Sequence, residues 1–451
     1  MDASPTVLGL DVGTSAIKAA VLDLGGARVA AAAVPTPFRA RTAGVEMSVT
    51  DLFSAVDAAL ASVASSLPGV AGVGVASLGE SGGWVHDGEV VDAPLIPWHD
   101  PRGEDTARRL AAALGADQVQ RRTGRAVRSW SSVAKIGWLT GHGVRPRGHW
   151  TGVAGLVVWH LTGALAQEES LAATSGAFDP HARAYDDDIL AAVGLEVDWA
   201  PLVRAGAVVG SVTPAAASRN GLSQGVPVTL AGHDHPVGVV GAGGRPGMVV
   251  DSLGTGEPLI VAWDAARARR HPRLTGVPGD LTVTCWPGQD TLMLLWEHLR
   301  PGLGLLQLAR ALGTDRTELE EASRSRPRSS PWQPPALAEL EAGRGDDLLL
   351  PGDADAAQVW ADALDGYTAS AAEAERELRA LTGADGPTLL IGGGVRSARW
   401  VEAKRRASRH GLVVAHDPDA VARGAALFGG LAAGTPVTVR GSRHRPPAPY
   451  R

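Results

Sequence analysis

Apolar positions along this chain fall into short β-type runs that end at glycine-rich turns, separated by longer stretches with helical spacing. Residues 7–24 read as two apolar strands joined by Asp11-Val12-Gly13-Thr14-Ser15, a turn with one carboxylate, one glycine and two hydroxyls. Behind Thr50-Asp51, the stripe Leu52, Phe53, Val56, Leu60 and Val63 predicts a capped helix. Further strands are predicted at 70–77, 226–231, 248–253, 258–263, 388–391 and 412–414. Residues 104–166 are helix-rich, and helices are predicted from 236, over 356–381, 398–410 and 417–431. This alternation is that of an α/β protein. The stretch 324–335, rich in Pro and Ser, reads as a surface excursion, and the last dozen residues, rich in Arg and Pro, as a disordered tail.

Composition narrows the class. At 451 residues the chain is too long for one core and predicts two to three domains. Hydrophobic content of 45% with 20% charged residues is that of a water-soluble globular protein. No apolar run reaches the roughly 18 to 20 residues that span a bilayer, and the first residues lack a signal-peptide pattern, so a cytoplasmic protein without membrane contact is expected. A net charge of −6 argues against nucleic acid as a partner. The single cysteine, Cys285, excludes an internal disulfide and a cysteine-based metal site. Arginine is abundant but lysine occurs only at 18, 135 and 404, which makes each lysine more informative than usual.

Chemistry collects at the turns. Gly13 has no Cβ, so backbone N–H groups can approach a bound phosphate, with the Thr14 and Ser15 hydroxyls beside them. Asp11, at a strand end, suits a magnesium ion held through water. The strand at 70–77 delivers Gly79-Glu80-Ser81, a carboxylate in a glycine-bounded loop suited to binding substrate hydroxyls. In Trp98-His99-Asp100-Pro101-Arg102 an extended backbone would point Trp98, Asp100 and Arg102 the same way; a structural Asp/Arg pair under a tryptophan is the competing reading. Gly232-His233-Asp234-His235 joins a strand to a helix that begins near Pro236. The helix dipole favours an ionised carboxylate at Asp234, able to take a proton from a hydroxyl, with a plain helix cap as the alternative. Three neighbouring side chains converge poorly on one ion, which argues against a His-Asp-His metal site. Gly254-Thr255 lies between two apolar runs, repeating the opening pattern, and Gly392-Gly393-Gly394-Val395-Arg396 lies at a strand-to-helix turn that suits a nucleotide.

The order of these motifs, completed by Ala-Arg-Gly-Ala-Ala-Leu at 422, resembles the FGGY carbohydrate kinases, the family of xylulokinase and glycerol kinase, over nearly the whole chain. The resemblance implies two actin-like (ribonuclease H-like) ATPase domains around a central cleft: 1–244 for sugar and catalysis, 245–436 for ATP, and 437–451 as tail. It implies an ATP- and Mg2+-dependent transfer to a hydroxyl of a small sugar, ketose or polyol. Position by position it makes Asp234 the general base, and Asp11 and Asp234 the carboxylates at the metal. Gly13, Thr14, Ser15 and Lys18 become the first phosphate loop, Gly254 and Thr255 the second, and Gly392, Gly393, Gly394 and Arg396 the adenosine side. The acceptor falls to Gly79, Glu80, Ser81, Trp98, Asp100, Arg102, His233 and His235. A homodimer is the expected assembly.

The substrate loop departs from both the xylulokinase and the glycerol kinase patterns, histidines flank Asp234, and a Gly-Glu-Arg-x-Pro segment is replaced by a shortened stretch near 348–353. These differences concern the acceptor rather than the reaction. Two other readings are an actin- or chaperone-type ATPase module, which has no need of the loop at Glu80, and a catalytically silent sugar-binding regulator.

Overall fold

The computed structural model describes residues 4–254, 256–264, 281–296, 300–327, 334–341, 355–415, 417 and 419–437. Thr255, the segment 348–353 and the tail from 438 lie outside the described residues.

Two six-stranded sheets share a central pattern, with their outer strands ordered differently. The first contains β1 (Thr6–Val12), β2 (Ala16–Asp23), β3 (Arg28–Pro35), β4 (Val70–Ser77), β5 (Val208–Ser211) and β6 (Pro227–His233), in the spatial order β5-β6-β4-β1-β2-β3. β1 pairs with β2 antiparallel and with β4 parallel, and β6 runs parallel to β4 on its other side. The second contains β7 (Val249–Ser252), β8 (Leu259–Trp263), β9 (Leu281–Cys285), β10 (Leu292–Trp296), β11 (Thr388–Ile391) and β12 (Leu412–Val414), ordered β9-β10-β8-β7-β11-β12. Here β7 pairs with β8 antiparallel and with β11 parallel, and β12 extends the parallel side. The short sequence repeat at residues 13–14 and 254–255 is therefore the local trace of this shared pattern.

Helices cover the first sheet on both faces. Helix α1 (Val49–Ala61), capped by Ser48 rather than by Thr50, buries Leu52, Val56 and Leu60 with Leu8, Leu10 and Val12 of β1; α2 (Val153–Thr162) joins the same core. The opposite face is stacked against α3 (Asp234–Gly241) and against α6 (Ala420–Ala432), a helix from the far end of the chain. Between them in sequence, α4 (Ala356–Thr382) packs against β8 and against α5 (Ala398–Ala407) in the second half. Of the small residues at 424–426, read from sequence as a close-packing face, Ala425 and Ala426 lie against Gly74 and Gly9 of the first sheet and Gly424 against Val237 of α3. Among the described residues no helix is long and apolar enough to cross a membrane.

Register decides where chemistry can gather. Val12 faces Ser77 and Ser77 faces His233, so β1, β4 and β6 end in one line. Their continuations, Gly13-Thr14-Ser15, Leu78-Gly79-Glu80 and Asp234, leave the sheet side by side at its carboxyl edge, where open α/β sheets bind ligands. In the second sheet Ser252 faces Ile391, which brings Gly254 beside Gly392.

Candidate active site

Asp11 lies on the α6 face of β1, opposite Lys18 in register. Its carboxylate is almost fully buried and its Oδ1 has no hydrogen-bond partner. Burial first, then the Asp234 charge, raises Asp11 to about 7; Lys18 works the other way. Lys18 pairs with Asp419 at 3.5 Å, and Arg28 pairs with the same carboxylate. The turn after Asp11 is closed by Gly13 N–H donating to Ala16 C=O at 3.0 Å, and Thr36 Oγ1 donates to Gly13 C=O at 2.7 Å. Trp98 is exposed, and its Nε1 donates to Thr14 Oγ1 at 3.1 Å, so the tryptophan reaches the first phosphate loop.

Asp234 is the first residue of α3, directly at the end of β6, so the strand runs two residues further than its apolar pattern suggested. Its Oδ1 accepts from the His235 N–H at 2.7 Å and lies 3.1 Å from His233 Nε2. Burial, joined by His235 and Arg125, depresses His233 to about 3, against the pull of Asp234, so the imidazole is neutral at physiological pH. Below this loop the His233 N–H donates to Ser170 Oγ at 2.9 Å, and Ser170 donates to Glu168.

Glu168 is wholly buried, and this raises it to about 8 despite hydrogen bonds from Ser170 and Leu171; its Oε1 has no partner. Such a carboxyl is neutral in the fold and ionised in the unfolded chain between its ordinary value of 4.5 and about 8. The native state binds the extra proton in that window, so stability falls as pH rises through it, by at most ~1.4 kcal/mol per pH unit. Glu168→Gln removes the slope. In urea titrations at pH 5.5 and 7.5 the wild type should lose about 2 kcal/mol more than the variant, and equal losses would contradict this origin of the slope.

The acceptor loop is fixed by its backbone. Glu80 has a positive φ of 64°, unusual for a residue with a Cβ. Its N–H donates to Thr174 Oγ1 at 2.9 Å, and its C=O accepts from Ser132 Oγ at 2.8 Å. The Glu80 carboxylate pairs with Arg125 at 2.9 Å. Gly79 packs against Thr174, and the Ser81 hydroxyl donates to Ile96 C=O at 2.7 Å, so neither offers its side to a substrate.

Asp100 and Arg102 also depart from the expected role. Residues 98–100 form a turn instead of an extended segment, leaving Trp98 exposed while Asp100 and Arg102 are buried. Asp100 accepts from Arg102 Nε at 2.8 Å and from Val45 N–H at 2.6 Å; Arg102 also pairs with Glu46 at 2.8 Å and stacks over Trp138. Burial opposes the Asp100 charge, yet the Arg102 hydrogen bonds hold it below the usual carboxylate range. Lys135, lowered by burial to about 8, donates to the carbonyls of Asp100 and Arg102. The structural Asp/Arg pair of the competing reading is what the fold contains, but the tryptophan over it is Trp138 rather than the exposed Trp98.

On the other wall, Leu253 N–H donates to Ile391 C=O at 2.9 Å and Gly394 N–H to Leu253 C=O at 2.8 Å, stitching the segment after β7 to the glycine turn. Gly393–Arg396 forms a 3-10 turn leading into α5. Beneath it, Lys404 of α5 donates to Asp251 Oδ2 at 2.7 Å and to Glu257, all three fully buried. Burial would strip the Lys404 proton, but the two carboxylates hold it above its ordinary value; burial pushes Glu257 well up despite Lys404. A cavity of about 550 Å³ runs from Asp234 and His235 past Ser252 to Gly392, Gly393 and Arg396, with Asp417, Ala420 and Val421 closing it. A second, of about 660 Å³, continues from Gly393 and Arg396 past Gly254 and Gly394 to Arg316, Arg324 and Trp400.

The fold thus gathers Asp11, Lys18 and Asp234 around one edge and joins Asp234 to the glycine turn through one cavity. Arg125, Glu168, Ser170, Thr174, Asp251, Glu257, Lys404 and Asp419 escaped sequence reasoning. Lys404 alone carried a signal, the rarity of lysine. Among the described residues no group of three or more His, Cys, Asp or Glu is placed to hold an ion.

Comparison with known proteins agrees. The profile of the FGGY family of carbohydrate kinases, N-terminal domain, matches residues 6–241. An L-fuculokinase of Salmonella typhi is 30% identical over 371 residues, 76% of this chain and 75% of its own. A xylulose kinase of Streptomyces coelicolor is 29% identical over 444 residues, covering 94% and 87%. In solved structures, xylulose kinase from Rhodospirillum rubrum superposes with a TM-score of 0.80 at 22% identity, over 95% of this chain and 91% of that one, which shows the two-domain actin-like (ribonuclease H-like) fold.

Proposed function

Because the chain belongs to the FGGY family of carbohydrate kinases, we propose that it uses Asp234 as general base to phosphorylate a hydroxyl of a small ketose or related polyol. It is an ATP- and Mg2+-dependent carbohydrate kinase. The observation that carries the finer reading is the shared cavity: Asp234 and the glycine turn at 392–393 line the same space. Two relatives named above are called after ketoses, xylulose and fuculose, which supports ketoses as the acceptors to try first.

The acceptor oxygen forms its bond to the γ-phosphorus while the bond from that phosphorus to the β,γ-bridging oxygen breaks and ADP leaves; the acceptor proton passes to Asp234. A loose transition state asks chiefly for alignment and charge neutralisation. His233 and His235 N–H fix Oδ1 of Asp234, which presents the carboxylate in one orientation. The turns at Gly13-Thr14-Ser15 and Gly254 supply backbone donors for the phosphates, and Arg396 and the glycine turn receive the nucleoside. The buried Oδ1 of Asp11, without a partner and with its affinity for a proton raised, fits a magnesium ion, with Asp234 the next carboxylate. Magnesium supplies charge neutralisation on the phosphates. We divide the chain at 244/245, with α6 returning to the first sheet, and place the enzyme in the cytoplasm.

A coupled assay of ADP release over pentuloses, hexuloses, tetritols and glycerol tests this reading, with acceptor-dependent turnover as the expected result. Turnover indifferent to every acceptor but responsive to a protein would favour an actin- or chaperone-type ATPase, and calorimetric binding without product would favour a silent sugar-binding regulator.

A further inference from the structure

Arg125 has no part in the motifs of the phosphate loops or the base, yet it makes a buried ion pair beside them. Its guanidinium pairs with Glu80 at 2.9 Å, with the two side chains only 15% and 8% exposed. The residue before it, Gly124, accepts from the Val283 N–H of β9 at 2.8 Å, so the backbone that presents Arg125 is anchored to the second sheet. Glu80 and Asp234 continue from the adjacent strand ends Ser77 and His233, spaced by one strand separation of about 4.8 Å. The segment around Glu169–Ala172 holds both: Thr174 takes the Glu80 N–H, and Ser170 takes the His233 N–H.

The charge balance at this end is specific. Glu80 and Asp234 both bring carboxyl groups, and the Arg125 charge is already matched by Glu80. A sugar acid entering here would set its carboxylate among two others, and like charges in a partly buried site repel. Neighbouring hydroxyls meet the opposite situation, since the pair sets an acceptor oxygen 2.9 Å from a donor nitrogen and one hydroxyl can donate while the next accepts. We propose that Arg125, through its pair with Glu80, is a specificity-determining residue that restricts the acceptor to uncharged polyhydroxylated molecules and excludes sugar acids. This rests on the proposed kinase reading for the location of the acceptor, though not on turnover.

The test is calorimetric binding to the wild-type protein without nucleotide, which separates it from any failure of phosphoryl transfer. The probes are xylulose, xylitol and glucitol on one side and xylonate and gluconate on the other. The neutral set should bind at least tenfold more tightly. Glu80→Gln, nearly isosteric, frees the Arg125 charge and should shrink that preference at least tenfold, by strengthening the acids. Arg125→Met should weaken the neutral ligands about tenfold, and Arg125→Lys should restore part of the loss. Equal or tighter binding of the acids by the wild type overturns the proposal, as does an unchanged ratio in Glu80→Gln with an unaltered melting temperature, or absence of binding by all five probes. A wild type that binds the neutral set selectively but releases no ADP overturns the kinase mechanism and leaves this proposal supported.

Discussion

Asp234→Asn should lower acceptor-dependent ADP release by at least about a thousandfold while leaving the dissociation constant for Mg-ATP within about threefold of wild type. General-base removal is worth roughly 10² to 10⁴ in rate, and the upper part of that range is expected because His233 and the His235 N–H leave the carboxylate one orientation. The substitution keeps the shape and, at Oδ1, an acceptor for the His235 N–H, so α3 and the cavity wall persist. In the proposed reading nucleotide affinity depends on other groups: the turns at Gly13 and Gly254 and the 3-10 turn Gly393–Arg396, with the buried Lys404 group beneath it. Single-turnover kinetics and nucleotide titration decide the matter. Full acceptor-dependent activity in the variant would remove Asp234 from the role of base, whereas parallel loss of ATP binding would make it a structural cap.

The parts of this site that were legible in sequence are those whose chemistry is local. A glycine followed by a hydroxyl between two apolar strands reads as a tight turn whatever lies far away, and the turns after β1 and β7 each follow a strand that pairs antiparallel with the next. Asp234 was legible for the same reason, since a strand end and a helix start fall within three residues. Asp100 and Arg102 were misplaced because alternation reads the same for an extended segment and for a turn; the decision came from Val45 and Glu46, more than fifty residues away. The Glu80–Arg125 pair spans 45 positions and the Lys404–Asp251 contact 153, and no periodicity encodes such distances. The seat of α6 was half legible: its small residues forecast close packing, but only the fold shows that the partner is the first sheet.

That seat leads to the largest expected effect on stability. Gly74→Ala should cost at least about 3 kcal/mol, because a Cβ there would lie 1.9 Å from the Ala425 carbonyl oxygen, a contact between two backbones that no side-chain rotation relieves. The same stripe brings Gly9 against Ala422 and Gly72 against Gly429, so the sheet and α6 touch along a line of backbone with no side chain to yield. Gly141→Ala is the control, since no atom lies within 4 Å of its added Cβ and its φ is ordinary; its stability should change by less than about 0.5 kcal/mol. The consequence reaches the chemistry, because Asp419 directly precedes α6 and pairs with Lys18, while Ala420 and Val421 line the cavity beside Asp234. Gly74→Ala should therefore raise the KM for ATP in whatever fraction remains folded, as α6 is pushed from the sheet and the cavity widens. Denaturant unfolding and ATP kinetics on the two variants check both steps: a Gly74→Ala protein as stable as Gly141→Ala would mean that α6 is not seated on the sheet as described.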